Sequence, residues 1–512
     1  MAIALPPPAE PQMVPAAEIR PYAKLKVQAG ALTFYVADFC KLGTAQVVRV
    51  ASVATTPAEI VRGLGASCYL LGYPAAMTRY GVDGSTLYIE VQRGRISSVE
   101  APPRIKAYFA GIEKSRFVTA ANLEKRRVLA DSLSERAGDN YQMQLVPDGP
   151  DSSKLVIDNP TDGRDRLQLR AGFATNGNRY SGRYIADGQA RYSWGDGTEA
   201  LVGIGAAVRP PQLRDDQSGP YHEASGSLSR VTTAGVLGVD GRYVELKPKV
   251  PAIDAMGTVF PAGLDGEITE AGVSWLVPLH ATYTERVTLS MRVARVQQTF
   301  DFDDQRLLTE RYTKANIVVS AATRFAIADN HVFELQGGVD LSQGFTSSPF
   351  VPADGGGRGQ FSMARPAIRL SYQPGAAFSP AIEASAQFSS AALPQNEQVV
   401  LGGDTQRAFE PGTAAGDQGW RARATINHRP WALGWLSLEP TLFAEYGAAR
   451  FRDPPPVAAG TAQRAAVGLE ATVRLGSTVE FTGFVAEPVL ASGPSLLADD
   501  ERRLGARLSI TY

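Results

Sequence analysis

From about residue 165 onward, apolar and polar residues alternate in segments of roughly ten residues, each bounded by Gly, Pro, Asp or Asn. In Arg286–Val293 one face carries Val287, Leu289, Met291 and Val293, and the other carries Thr288, Ser290 and Arg292. Ala466–Leu475 sets Val467, Leu469, Ala471, Val473 and Leu475 against Gly468, Glu470, Thr472 and Arg474. The same split runs through Leu167–Phe173, Phe333–Leu341, Pro366–Tyr372, Ile382–Phe388 and Leu504–Tyr512. Side chains alternate across a strand, so each segment predicts a strand with one apolar and one wet face. About sixteen such segments fit in the chain, an even number within the range of single-chain outer-membrane barrels.

The N-terminal third has a different texture. Residues 1–24 are rich in Pro and Ala, with no period that buries a face, and predict an extended tether. Residues 25–101 read as a small α+β module. It has a strand near Leu32–Val36, helical character through Thr56–Val61, and strands at Ala76–Tyr80 and Ser85–Val91 joined by a Gly81–Gly84 turn. Residues 102–160 repeat that plan in a shorter or degenerate form, with a helix over Ala120–Ala130 and a closing strand Lys154–Ile157. Residues 161–512 are left for the barrel, including a long loop at 391–418.

Composition adjusts this picture in a few places. Lys+Arg number 51 against 52 Asp+Glu, so no basic field for nucleic acid extends over the chain. With 50 Gly, 34 Pro and 44% hydrophobic residues, the chain is turn-rich yet too apolar for disorder. No apolar run approaches the ~18 residues of a membrane-spanning helix, which leaves alternating strands as the means of crossing a bilayer. Met1–Leu5 lacks a basic and an apolar export region, so a start that is mis-assigned or trimmed relative to an export signal is expected. Cys40 and Cys68 stand alone; they either pair in an oxidising compartment or act as two small buried residues.

A soluble propeller or sandwich also alternates. Three features favour a membrane barrel. Large charged residues (Arg365, Arg369, Arg421, Arg423, Glu439, Glu445) recur on the second face of strand after strand, as in a wet lumen; the segments are long without a blade-like repeat; and the chain ends within a strand on Tyr512. A barrel of this strand number is too wide for its own side chains to fill and must hold water or a plug.

Four stretches carry a resemblance. Gly72–Ile96 resembles the second half of a first periplasmic POTRA domain. Leu401–Phe409 with Gly416–Trp420 is similar to a loop that folds back into the pore, where a Val-Arg-Gly-Tyr motif is matched here by Gln406-Arg407-Ala408-Phe409. Phe443–Gly447 falls where a Phe-x-Asp-x-Gly strand is expected, with Glu445 in place of Asp. Leu504–Tyr512, with Leu508, Ile510 and Tyr512 on one face, looks like a C-terminal outer-membrane strand signal.

Together these resemble the two-partner secretion transporters of the hemolysin-activation and hemagglutinin-secretion type. The resemblance implies a mainly β fold: a 16-stranded transmembrane antiparallel barrel in the bacterial outer membrane, preceded by α+β POTRA-like domains in the periplasm. It implies that these domains catch an unfolded, hemolysin- or hemagglutinin-like exoprotein, offering a sheet edge to an extended segment. The client then passes through the pore without nucleotide hydrolysis. It implies that outer-membrane lipid and the barrel-assembly machinery are further partners. It also implies a loop lock in which Arg407 pairs with Glu445, with Phe409, Phe443 and Gly447 around them. A guanidinium can meet a carboxylate through two parallel hydrogen bonds, and a partly dry lumen strengthens that contact. Spacing alone would leave Arg407 a solvated loop charge and Glu445 a generic lumen residue.

By segment count the loop joins the eleventh and twelfth strands, and Glu445 lies on the thirteenth. An assembly factor of the wider barrel-assembly superfamily is the alternative, and a passive porin would lack residues 25–160. Catalysis finds no support: His222, His280, His331 and His428 are scattered, no Gly-x-Ser-x-Gly elbow or phosphate loop occurs, and Asp303-Asp304 and Asp499-Asp500 fall in expected turns or loops. No cofactor and no metal are expected.

Overall fold

The structure is a computed structural model that describes residues 9–29, 32–161, 165–175, 177, 182–208, 221–247, 249–253, 259–302, 305–328, 331–346, 360–375, 377–452, 460–494 and 502–512. The acidic pairs at 303–304 and 499–500 lie outside the described residues.

The first module is a five-stranded sheet in the order 12–13, 77–83, 86–92, 32–38, 25–29, covered by the helices Thr44–Val53 and Pro57–Leu70. The second helix starts where its sequence says it should. Thr56 Oγ1 accepts the Glu59 N–H, Pro57 opens the first turn, and Glu59 reaches back to the Thr55 N–H at 2.6 Å. Phe34, Val36, Val47, Leu64, Ile89 and Val91 form the core between sheet and helices. The Cys40–Cys68 disulfide staples the end of the 32–38 strand to the second helix, with Cα atoms 5.9 Å apart.

Two expectations need correction here. Residues 12–13 pair in parallel with Arg79–Tyr80, and Ile19 is fully buried against Tyr88, so the tether predicted for 1–24 is from residue 12 part of the first module. The hairpin turn is Gly84–Ser85, flanked by the pair Asp83 and Thr86, two residues later than predicted. Gly81 lies within the strand, where a side chain would strike the backbone of Val14 and Ala16.

The second module is a three-stranded sheet in the order 95–100, 152–161, 140–147, packed on the helix Ala120–Ala137. Strand Arg95–Glu100, assigned from sequence to the first module, pairs instead with 152–156 of the second, because Ile96 and Val99 join Phe109, Leu123 and Leu155 in its core. The helix runs past the expected Ala130 until Gly138 in the left-handed region ends it. Val231, near the end of the barrel strand Tyr221–Thr232, is buried in this same core, and Tyr108 Oη donates to its carbonyl at 3.2 Å. Arg104 and Arg136 donate to the carbonyls of Gly195 and Gly197 in a neighbouring turn. The second module is therefore docked on one end of the barrel. The first reaches that end through Tyr69, stacked on Tyr283 at 4.9 Å.

Residues 167–511 close an antiparallel barrel of sixteen strands among the described residues, with Lys249–Ile253 and Trp431–Leu433 continuing the strands before them. Strand alternation places Val202, Ile204, Val239, Val273, Ile368 and Leu469 on the outer surface, each roughly half exposed. Their partners in the alternation face the lumen. An outward apolar face on a closed sheet suits hydrocarbon, since closure leaves no backbone group unpaired. The seam between first and last strands is short, pairing Arg507–Thr511 with Ala174–Arg170.

Candidate functional site

The eleventh strand, Phe378–Ser389, runs parallel to the seventh, Glu285–Phe302, which starts at the module end beside Tyr283. The connection from the eleventh strand to the twelfth, Gln418–His428, therefore begins at the far end of the barrel. It folds inward as a small hairpin, with Val399–Leu401 paired to Ala414–Gly416. Two anchors hold it.

The base anchor lies near the far end. Leu393 inserts among Val296, Tyr312, Phe361 and Met363. Glu397, almost fully buried, accepts from Lys314 Nζ at 2.7 Å and Tyr312 Oη at 3.1 Å, and lies 3.4 Å from Arg365 Nη2. Its carbonyl accepts from Arg365 and Gln387. Asp417 closes the neck by accepting the N–H groups of Leu393 at 2.8 Å and Arg452 at 2.9 Å. The sequence reading did not name Glu397, and Asp417 entered it only as part of Gly416–Trp420.

The tip anchor lies against strands 13 to 16. Gly402 and Gly403 take positive φ, and a side chain on Gly402 would collide with the Glu410 carbonyl. Gln406 Oε1 accepts the Gly402 N–H at 2.8 Å, and the Gly403 N–H donates to Phe409 O at 2.8 Å, which tightens the turn and projects Arg407.

Arg407 and Glu445 do meet, but the expected two-bond pair is replaced by a four-charge cluster. Glu445 Oε2 accepts the backbone N–H of Arg407 at 2.7 Å, while the guanidinium is 3.7 Å from Glu445 and 2.9 Å from Glu470. Arg423, cross-strand from Glu445, adds a second cation at 3.6 Å. Glu445 thus holds the loop backbone, and the Arg407 guanidinium turns to the neighbouring strand's carboxylate.

The aromatic residues complete the tip. Phe443 lies under Arg407 at 4.6 Å and Arg423 at 5.9 Å, a cation–π arrangement. Gly468 makes room for it: a Cβ there would stand 2.4 Å from the Phe443 ring. Gly447 does the same for the loop, since its Cβ would meet Gln406 Nε2 at 2.5 Å. Phe409 is fully buried with Ala408, Phe443 and Ala486, and its carbonyl accepts from Arg503 at 2.7 Å. Ala408, where the motif has Gly, fits because its methyl joins this cluster.

Leu508, Ile510 and Tyr512 lie apart from the lock, on the last strand with Ile510 and Tyr512 exposed outward; the Tyr512 backbone pairs with Leu169 of the first strand. The four histidines share no cluster, and no group of three metal-ligating side chains occurs among the described residues. The sequence reading missed Glu470 and Arg423 as partners, although alternation had already put both on the wet face.

Residues 255–471 match the family model of the haemolysin secretion/activation protein ShlB/FhaC/HecB. No curated protein matches the chain in sequence. Among solved structures, CdiB from Escherichia coli is similar with a TM-score of 0.70 at 16% identity, covering 96% of this chain and 93% of that one. CdiB from Acinetobacter baumannii gives 0.63 at 12% identity, covering 98% and 89%. At these identities the structural likeness speaks for the fold. The family match spans the sixth to the fourteenth strands, with the inward loop, Phe443 and Glu445 inside it.

Proposed function

We infer that this chain is a two-partner secretion transporter of the outer membrane. It passes a secreted exoprotein through its barrel, with the inward loop as the element that occupies the pore. The observation that carries this reading is the loop pinned in the lumen by Arg407 against Glu445 and Glu470. The POTRA-like modules receive the unfolded client in the periplasm, and the free edge strand Leu25–Ala29 supplies backbone groups for an extended segment. Outer-membrane lipid covers the apolar outer face, and the barrel-assembly machinery inserts the chain, its terminal strand with Leu508, Ile510 and Tyr512 serving as the signal. Arg407, Phe409, Phe443, Glu445 and Gly447 act as the lock. The work of transport comes from folding of the client outside, so the protein acts as a conduit and not as a catalyst.

The test is to record planar-bilayer conductance for wild type and Arg407→Ala, alongside secretion of a candidate client by cells making each form. Pore activity in wild type with secretion lost in the variant is the expected result. A wild-type protein that never conducts would overturn the reading.

A further inference from the structure

The loop packs against strands 13 to 16 and leaves a water-accessible cavity of about 900 Å³ on the opposite side, lined by strands 6 to 12 and by Asp404 and Thr405 of the loop. Charge on that wall is lopsided. On strands 10 and 12, Arg365, Arg369, Arg421 and Arg423 all face the cavity, against the carboxylates of Glu383 on the strand between them and Asp340 on strand 9, opposite Arg365. In register, Arg369, Glu383 and Arg423 form one row, and Ser385 and Arg421 form the next. Arg369 and Glu383 are 3.9 Å apart and half exposed, a contact that water weakens. Arg421 donates to Ser385 Oγ at 3.0 Å and remains exposed to the cavity.

Elsewhere in the lumen several charges answer one another. Arg292 engages Asp240 and Glu270, and Arg242 engages Glu223 at 2.8 Å. Asp404, which the loop presents toward the cavity, is 3.2 Å from Arg507 on the last strand. Arg365 is met by Glu397 and Arg423 by Glu445, so the guanidinium groups of this wall that face open water are those of Arg369 and Arg421. A low-dielectric barrel focuses such a field along the lumen, and rings or walls of one sign select what passes.

We propose that the inner wall of strands 10 to 12 is a track for anions that engages the carboxylate side chains of an extended acidic polypeptide on its way through the pore. This rests on the translocator reading above and adds the chemistry of the passing segment. Guanidinium groups spaced along neighbouring strands meet carboxylates one after another, each contact being weak enough to release.

The full-length protein in planar bilayers tests it, with the reversal potential measured in a KCl gradient and with decaglutamate or decalysine added on the module side. Wild type should favour chloride, and decaglutamate should block at lower concentration than decalysine. The double variant Arg369→Ser/Arg421→Ser should conduct, lose the chloride preference and need about tenfold more decaglutamate for the same block. Arg369→Lys/Arg421→Lys should retain both properties. If wild type conducts but both peptides block alike, or the Ser variant is unchanged, this inference falls while the pore reading stands. A protein without conductance overturns both.

Discussion

The two ends of the inward loop are held by opposite charge arrangements. At the base, one buried carboxylate, Glu397, serves two cations, Lys314 and Arg365, beside an apolar plug built around Leu393. At the tip, two cations, Arg407 and Arg423, share two carboxylates, Glu445 and Glu470, over an aromatic ring. Both ion pairs of the base run through a single carboxylate. The tip is balanced and partly redundant: removing Arg423 or Glu470 leaves each remaining charge near an opposite one, whereas Arg407 and Glu445 each hold two partners. Breaking a buried pair costs most when the survivor has nowhere to turn. The comparison therefore makes the base the fixed end of the loop and the tip the end that can be exchanged.

The largest effect is expected at the base. Glu397→Ala should lower the local opening free energy of residues 393–398 by about 3–5 kcal/mol, read as lost amide-exchange protection in detergent, with the tip still protected. If base and tip lose protection together, the loop is one cooperative unit and the distinction fails. Next, Gly468→Val should push Phe443 out from under Arg407 and cost about 1–3 kcal/mol of tip protection, because its β-carbon meets the ring and the Val485 carbonyl. Protection of the base should not change. A smaller loss, about 1 kcal/mol at the tip, is expected for Arg423→Ala, since the Arg407 N–H and guanidinium still face Glu445. A loss larger than that of Arg407→Ala would reverse the ranking of the two arginines.

Outside the membrane, the helix Ala120–Ala137 gives a third balance, with Glu124 and Asp131 sharing Arg127. Burial pushes the Asp131 carboxyl up to about 6, against the pull of Arg127 and, more weakly, Arg286, with Glu124 and Glu135 adding to the rise. A folded-state pKa above the unfolded 3.8 means that ionisation costs stability, progressively as pH rises from about 4 to 6 and in full above that. Asp131→Asn should therefore stabilise the module by about 2 kcal/mol at pH 8 and leave it unchanged near pH 3.5, as followed by the melting of the full-length protein. Equal effects at both pH values would rule out the titration.

Much of this was legible in the chain, for physical reasons that differ by region. Barrel strands declare themselves because water on one side and hydrocarbon on the other force a period of two, and that period alone turned Glu445, Glu470 and Arg423 inward. Which inward charges touch depends on register and on side-chain length, and neither is written in one strand. The anchoring roles of Glu397 and Asp417 were not legible because neither lies in an alternating strand, and much of what they do is to hold backbone N–H and C=O groups in place. The strand Arg95–Glu100 was misassigned because adjacency in sequence suggested the first sheet, whereas Ile96 and Val99 find their apolar partners in the second.

The Cys40–Cys68 bond gives the molecule an itinerary. The 28-residue span it closes can be sealed only where thiols are oxidised, so the first module acquires its staple after the chain has left a reducing compartment. A copy with two reactive thiols has yet to make that journey, and a copy with none has completed it. Thiol labelling of cells at successive times would sort young molecules from old by a chemical date stamp carried some distance from the pore.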